Sequence, residues 1–294
     1  KELLTISLDE NKNRWLIIYI YDVIIEKYIV TDKMIIPRSF YSFDIGQSKQ
    51  ILATQGLQTI YFVSSSGLYE YQKGQFTQRA AINSLYLEPE ADYLRYGDFV
   101  HDLNYDTFDD VVVTNFSETV VLIGAADNQF IRQALPVKPQ MSLEQNTISY
   151  TPATLFFADV SFDNRIDIAR VGEGEIDIYL QLENGQFNQT AESISVSASI
   201  SGLEWWTQRD ESGEQLDQSD LEFRMLDALR DLNGDGIADM VVKYSKALGV
   251  LDRANDYEVY LGENQLGRLV FAKQPSSVIR ADGVLTGLQF SDVD

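Results

Sequence analysis

Short apolar runs separated by polar turn residues cover most of the chain, and this pattern predicts strands. Residues 111–114, 168–170 and 240–244 are such runs, and each has a second run after a short gap, at 119–123, 176–180 and 257–261. Val, Ile, Tyr and Thr dominate these runs, as is typical of strands. Only residues 221–229 are ambiguous between helix and strand. The pattern therefore predicts an all-β fold.

The most apolar run covers residues 15–25 and is interrupted only by Asp22. A membrane-spanning helix needs about 20 apolar residues, so this run is too short to cross a bilayer. Its aliphatic and aromatic residues instead predict a central, buried strand of the sheet.

An acidic nine-residue pattern recurs along the chain. Its three copies begin at Asp102, Asp159 and Asp231 and read DLNYDTFDD, DVSFDNRID and DLNGDGIAD. The last residues, 291–294, resemble the start of a fourth copy, to which Asp292 and Asp294 would belong. Apolar runs precede and follow each copy. Each unit of roughly 60 residues thus holds about four short strands, the size and content of a β-propeller blade.

A second marker follows the same repeat, because a Gln-Phe pair recurs at Phe76, Phe130 and Phe187, with Phe271 as the counterpart in the last unit. We expect a third strand run of each unit to end near this phenylalanine. One propeller region, 1–294, would then contain blade-like units near 1–40, 41–90, 91–145, 146–222 and 223–280, and the start of another at 281–294. About seven blades need a longer chain, so we expect a part of a larger propeller. Alternatively, the N-terminal strands complete the unit that begins at 281.

Oxygen-bearing side chains occupy positions 1, 3, 5 and 9 of each acidic copy, and the carbonyl of position 7 adds a further donor. Calcium takes about 6–8 oxygen ligands in irregular geometry, so the pattern predicts a calcium loop. The predicted ligands are Asp102, Asn104, Asp106, Asp110 and the Phe108 carbonyl; Asp159, Ser161, Asp163, Asp167 and the Arg165 carbonyl; and Asp231, Asn233, Asp235, Asp239 and the Ile237 carbonyl. We expect about three calcium ions, and a fourth if the chain continues.

Position 6 of each loop has to make a sharp turn. Gly236 permits the positive φ that such a turn needs, and Asn164 tolerates it. Thr107 is β-branched, so we expect the first loop to be weaker or differently shaped. The alternative is that all three copies are ordinary Asp- and Asn-rich turns.

Two other metal sites do not fit the acidic copies. An EF-hand needs a glutamate at position 12 between two helices, whereas this chain has Val113, Arg170 and Val242 there, with strand-like flanks. Magnesium resists the dehydration that an all-protein cage requires.

The acidic copies resemble FG-GAP/VCBS repeats, the blade unit of integrin-α-like propellers. The third copy matches the loop of that family at every position, and Tyr-Gly-Asp-Phe-Val at 96–100 is similar to its Phe-Gly lead-in. The resemblance covers roughly residues 40–294, and it implies a loop that joins two strands of a blade and holds one calcium ion. The departures are Thr107 and Asn164 in place of glycine, Ser161 in place of Asn or Asp, and the unit near 41–90, which has no acidic loop.

The composition narrows the range of possible partners, metal sites and activities. Acidic residues outnumber basic ones 45 to 23, for a net charge of −22, which disfavours nucleic acid and anionic membranes as partners. The chain has no cysteine and one histidine, which excludes disulfides, thiolate zinc sites and histidine-rich metal sites. No P-loop, HExxH or GxSxG motif occurs. We therefore predict that the protein is not an enzyme and that His101 is a bystander beside the first loop.

The segment 190–221 lengthens one repeat and contains Trp205 and Trp206, which are the candidate ligand-binding residues. The alternative is that at least one of them fills the core.

Calcium loops of this kind suit millimolar extracellular calcium. We predict an extracytoplasmic, bacterial binding or adhesion module, secreted or at the cell surface, with a protein or glycan ligand on a propeller face and no membrane insertion. The alternatives are a polysaccharide-active enzyme or its accessory domain, and a structural spacer in a larger surface or toxin-like assembly.

Overall fold

The structure is a computed structural model that describes residues 2–46, 59–72, 74–84, 94–126, 129–144, 147–172, 174–200, 222–247 and 253–280. All regular secondary structure in these residues consists of β-strands. The prediction of an all-β fold is therefore confirmed, and the ambiguous stretch at 221–229 belongs to a strand. The chain divides into two compact units, Lys1–Met141 with Tyr150–Pro152 and Ser142–Ser149 with Ala153–Asp294.

The described residues of the first unit form three sheets. The first sheet is antiparallel, with strand order β1-β2-β3, from β1 (Glu2–Leu8), β2 (Arg14–Asp22) and β3 (Lys27–Ile36). The second sheet has the order β7-β6-β5-β4-β8, from β4 (Phe40–Ile45), β5 (Ile60–Ser64), β6 (Gly67–Gln72), β7 (Gln75–Ala81) and β8 (Arg95–Tyr96), where β8 alone is parallel to its neighbour. The third sheet has the order β12-β11-β10-β9, from β9 (Val100–His101), β10 (Asp110–Thr114), β11 (Thr119–Gly124) and β12 (Phe130–Leu135).

Two four-stranded antiparallel sheets form the body of the second unit. One has the order β15-β16-β17-β18, from β15 (Leu155–Ala158), β16 (Asp167–Val171), β17 (Glu175–Tyr179) and β18 (Glu192–Ser195). The other has the order β19-β20-β21-β24, from β19 (Phe223–Arg230), β20 (Asp239–Ala247), β21 (Arg253–Tyr260) and β24 (Ser277–Arg280). Two hairpins complete the described strands, β13 (Gln140–Glu144) with β14 (Thr147–Thr151), and β22 (Gly262–Asn264) with β23 (Leu269–Phe271).

Sheets bury their apolar faces against each other within each unit. In the first unit, Leu16 and Ile18 of β2 pack with Phe62 of β5, whereas Tyr61 and Val63 of β5 pack with the third sheet. Because side chains alternate along a strand, β5 thus lies in two cores and is buried along its whole length. In the second unit, Ile176 and Ile178 of β17 pack in one core with Met240 and Val242 of β20.

The prediction of a buried strand for residues 15–25 was wrong in part. β2 is the middle strand of its sheet, but burial alternates only from Arg14 to Ile18, and the residues from Tyr19 to Asp22 are half-buried. Val23, Ile24 and Ile25 form the turn after β2 and are 76%, 89% and 51% exposed. Asp22 holds this turn, since its Oδ1 accepts the backbone N–H of Ile24 at 2.8 Å and of Ile25 at 3.3 Å.

The Gln-Phe marker does not end a strand in the way the sequence predicted. Phe76 and Phe130 lie at the beginning of β7 and β12, the strands at the edge of their sheets. Phe187 forms an isolated bridge with Gln181, and Phe271 alone ends a strand, β23. A further strand follows Phe187 and Phe271, so the marker begins or precedes the last strand of a sheet instead of closing it.

Candidate functional site

Each acidic copy connects the first two strands of a four-stranded sheet. We call residues 102–110 loop 1, residues 159–167 loop 2 and residues 231–239 loop 3, and we number the positions of each loop from 1 to 9. Loop 1 leads from β9 to β10, loop 2 from β15 to β16, and loop 3 from β19 to β20. In each case position 9 is the first residue of the second strand.

All three loops have the same backbone shape. Positions 4 and 6 have positive φ in every copy, at Tyr105 and Thr107, Phe162 and Asn164, and Gly234 and Gly236. The expectation for position 6 is confirmed. Thr107 does not give loop 1 a different turn at position 6, because its φ of 73° lies between the 61° of Asn164 and the 80° of Gly236, and the alternative of a weaker site stays a prediction. Position 4 was missed, although Gly234 was a signal for it.

Carboxylates at positions 1 and 5 hold this shape by accepting backbone hydrogen bonds. The Oδ2 of position 1 accepts the N–H of position 6, at 3.2 Å for Asp102, 2.8 Å for Asp159 and 2.8 Å for Asp231. The Oδ1 of position 5 accepts the N–H of position 7 at 2.8, 3.0 and 2.8 Å in loops 1 to 3. The acidic residues therefore provide oxygen atoms and also hold the turn in shape through hydrogen bonds to its backbone.

The aspartate at position 9 fastens each loop to a distant strand end. Asp110 accepts the N–H of Leu103 and the N–H of Gly124, both at 2.7 Å, through its two different oxygens. Asp167 accepts the N–H of Val160 and Gln181 at 3.1 and 2.8 Å, and Asp239 accepts those of Leu232 and Gly262 at 3.0 and 2.9 Å. All three aspartates are buried. Sequence reasoning missed this contact.

Two glycines gave a signal for that contact. A Cβ on Gly124 would lie 2.5 Å from the carbonyl oxygen of Asp109, and a Cβ on Gly262 would lie 2.2 Å from that of Ala238. Glycine therefore lets the strand end approach the backbone of loops 1 and 3 closely. In the second unit, Gln181 occupies the corresponding place beside loop 2.

Burial disfavours the charged form of the carboxylates in loops 1 and 2. Burial raises the pKa of Asp110 to about 7 and that of Asp167 to about 6, although backbone N–H groups act in the opposite direction. Burial and the charge of Asp106 raise the pKa of Asp102 as well. Loop 3 differs at position 1. The slight burial of Asp231 raises its pKa, but the N–H groups of Gly236 and Gly234 lower it by more.

The donors of the loops suit a hard cation, since all of them are oxygen atoms. Asp102 Oδ1 is buried and makes no close hydrogen bond, although the nearby N–H groups of Asp106 and Tyr105 act to lower the pKa of this carboxylate. Within the described ranges, however, no three Asp, Glu, His or Cys side chains converge closely enough to hold a metal. The oxygens of position 9 point to backbone amides instead. The ligand roles of Asp110, Asp167 and Asp239 therefore stay a prediction.

Loop 2 contains a positively charged side chain that pairs with one of the carboxylates of the same loop. The Arg165 guanidinium donates to Asp163 Oδ2 and, at 3.1 Å, to the carbonyl oxygen of Gln181. Position 7 is Phe108 in loop 1 and Ile237 in loop 3, so neither of these loops has such a pair.

Several predicted residues lie outside the part of the chain that the structure describes. These are Trp205, Trp206, Asp292 and Asp294. Of the segment 190–221, residues 190–200 are described, and they include β18. His101 is largely buried, which lowers its pKa, and its Nε2 lies 3.9 Å from Asp98 Oδ1. The part of the chain with described coordinates has no helix that is long and apolar enough to span a membrane.

Comparisons with known proteins give little further guidance. No protein-family model matches the chain, and no curated protein matches it. A lectin from Agrocybe aegerita, described for its specific recognition of non-reducing terminal N-acetylglucosamine, has 12% identity and a TM-score of 0.47, over 95% of this chain and 80% of the lectin. A protein from Lactobacillus plantarum has 10% identity and a TM-score of 0.37, over 96% of this chain and 98% of that one. Both TM-scores are below 0.5, so neither protein indicates a role for this chain.

Proposed function

We propose that this protein is a calcium-stabilised, non-catalytic binding module, built from β-propeller blades of the FG-GAP/VCBS type. One observation carries the proposal. Three acidic loops of one backbone shape and one hydrogen-bond pattern each join the first two strands of a four-stranded antiparallel sheet. Backbone hydrogen bonds explain single acidic side chains in a turn, whereas oxygen-bearing side chains at positions 1, 3, 5 and 9 of all three loops also provide the donor set that calcium takes.

Calcium would be held by the side chains at positions 1, 3, 5 and 9 and by the carbonyl of position 7. The ion would supply positive charge where carboxylates are crowded and partly desolvated, as at Asp102, Asp106 and Asp110. An ion that binds only the folded state stabilises it by mass action, by about 2.7 kcal/mol per site at a concentration 100-fold above its dissociation constant. The loops would thereby fix the first two strands of each sheet.

Thermal unfolding in calcium, in magnesium and in chelator tests this proposal, together with calorimetric counting of bound calcium. We expect calcium to raise the unfolding midpoint and magnesium to leave it unchanged, because magnesium keeps its water shell. Asp231→Ala removes an oxygen ligand from loop 3 and should lower the number of bound ions by one. Glu10→Gln removes an exposed carboxylate outside the loops and should leave the count unchanged. A chain that binds no calcium would contradict the proposal, and the loops would then be turns.

We place this module outside the cytoplasm and assign it a protein or glycan ligand. The location follows from the calcium chemistry, since extracellular modules bind calcium with dissociation constants of about 10⁻⁴–10⁻³ M. A glycan array and a protein array, probed with calcium and again with chelator, test the binding role. A ligand whose binding is lost in chelator would fit a calcium-supported binding face. Binding to nothing on either array would favour a structural spacer.

A further inference from the structure

The first sheet has a second apolar face, whose residues belong to neither core of the first unit and whose β2 residues are half-buried. We call this surface the outer face. It is the side of β1–β3 opposite Leu16 and Ile18, which are buried in the core of the first unit. Residues alternate between the two sides of a strand, so the outer face carries Trp15, Ile17, Tyr19 and Tyr21 of β2.

The neighbouring strands extend this surface in register. Leu3 of β1 and Val30 of β3 flank Tyr19, and Tyr28 of β3 lies opposite Tyr21, with ring centroids 5.3 Å apart. Leu3 is 45% exposed, Tyr28 46% and Val30 54%. A monomer seldom leaves a contiguous apolar patch of this kind in water unless the patch has a partner.

Charge sets the outer face apart from the rest of the chain. The protein has a net charge of −22, yet the strand register places no carboxylate on the outer face. Its one charged strand residue is Lys33, whose Nζ lies 4.4 Å from the Trp15 ring centroid. At the rim, Asp9 in the β1–β2 turn accepts the Trp15 Nε1–H at 3.0 Å. The outer faces of two copies of the chain can therefore pack together with little repulsion between like charges at the centre of the contact.

The first unit already shows how such faces are covered. Its second sheet packs on the first sheet through one face and on the third sheet through the other. The outer face has the same apolar character, and its residues belong to neither of these cores. β3 is also an edge strand of ten residues, with exposed aliphatic side chains, of the kind that proteins usually protect from pairing with other chains.

We propose that the outer faces of two copies of this chain pack together as a symmetric, sheet-on-sheet dimer. Strands about 4.8 Å apart with a rise of about 3.4 Å per residue give each face a footprint of roughly 400 Å². With the relief of the side chains, two faces bury on the order of 1,000 Å², near the lower bound of specific interfaces. A two-fold axis through Tyr19, near the middle of the face, would bring this residue close to its own symmetry mate.

Salt should strengthen the dimer, which is the reverse of an interface held by ion pairs. The apolar faces attract, while the acidic remainder of the two copies repels over a distance that shrinks as salt increases. The screening length falls from about 30 Å at 0.01 M salt to about 8 Å at 0.15 M. We therefore expect the dissociation constant to fall several-fold over this range.

Sedimentation velocity over a concentration series tests the proposal. The unaltered chain should dimerise, and Tyr19→Lys should raise the dissociation constant at least tenfold. Ile131→Lys is the matched control, because Ile131 is 60% exposed on the edge strand β12, away from the outer face, and this change should have no effect. Val30→Lys repeats the test on β3 should Tyr19→Lys disturb folding, and far-UV circular dichroism shows whether each variant is folded.

A charge-swap experiment distinguishes the outer face from edge-to-edge pairing. Tyr19→Lys and Tyr19→Glu should each be monomeric alone and should associate when mixed, because opposite charges then meet across the two-fold axis. A chain that stays monomeric throughout the concentration series overturns the proposal. So does a dimer that both Tyr19→Lys and Val30→Lys leave intact, since such a dimer would use another surface. Neither result depends on calcium, so the proposed function stands or falls separately.

Discussion

At the level of single residues, the loops show how far the backbone depends on side-chain type. Positive φ costs a non-glycine residue about 1–2 kcal/mol, least for asparagine, and a β-branched residue tolerates it poorly. Thr107 adopts it nevertheless, because eight other positions of the loop and the strands around it fix the turn. Loop 2 places Asn164 at the corresponding position.

A reciprocal pair of substitutions measures this strain. Thr107→Asn should raise the free energy of unfolding by about 1 kcal/mol, because asparagine enters the left-handed region more easily. Asn164→Thr should lower it by a similar amount. Urea unfolding in chelator gives both values without a contribution from calcium. Equal stabilities for all three proteins would show that the turn at position 6 is not strained.

The types of the candidate ligands could be identified from sequence because they repeat at fixed spacing. The second role of position 9 could not be identified in this way. Asp110 meets Gly124, fourteen residues farther along the chain, and this contact exists only once β10 and β11 have paired. A local pattern shows which side chains a turn contains, but not which of their atoms the folded neighbours use.

At the level of elements, the acidic loop and the sheet are joined by the position 9 carboxylate. Asp239 is fully buried and accepts one N–H from its own loop and one from Gly262, at the start of β22. Its loss would leave a buried donor at Gly262 and a half-buried donor at Leu232 without a partner. Each unsatisfied buried group costs about 1–3 kcal/mol.

Asp239→Ala should therefore destabilise the protein by about 3 kcal/mol even in chelator. Asp235→Ala is the control, because this carboxylate at position 5 is exposed and accepts hydrogen bonds only within its own loop. Without calcium it should cost less than about 1 kcal/mol, and with calcium both variants should lose the stabilisation from loop 3. The two variants can be compared by urea unfolding. Equal costs in chelator would mean that position 9 serves only as a metal ligand.

The central strands of the sheets could be predicted from the sequence more reliably than the edge strands that pair with them. The runs at 111–114, 168–170 and 240–244 correspond to β10, β16 and β20, because β-branched residues and flanking turns are local signals. The edge strands β12, β18 and β24 were misplaced relative to the phenylalanine marker. Only one of their residues, Leu135, is buried, so no apolar alternation distinguishes them from loops.

At the level of the whole molecule, sequence predicted the all-β class and the repeat, but not which faces are covered. β2 is apolar at almost every position from Trp15 to Tyr21, which fits a strand buried on both sides. The structure buries only Arg14, Leu16 and Ile18 of this strand. Whether a second face is covered depends on what packs beside the sheet, and this information is absent from the strand itself.

The acidic surface gives a prediction for the whole chain. With a net charge of −22 and no calcium, like charges crowd together when the chain folds and oppose the compact state. Salt shortens the range of this repulsion from about 30 Å at 0.01 M to about 8 Å at 0.15 M. We therefore expect sodium chloride to raise the thermal midpoint in chelator over this range.

Choline chloride separates screening from ion binding, because its bulky cation cannot enter an oxygen cage. If repulsion alone destabilises the calcium-free chain, the two salts should raise the midpoint equally at equal ionic strength. Calcium should then exceed both at a far lower concentration, since it acts at the loops and not through the ionic atmosphere. A midpoint that is flat in both salts would show that the negative charges are too far apart to oppose folding. In that case the calcium effect, if present, would have to come entirely from the crowded carboxylates of the three loops.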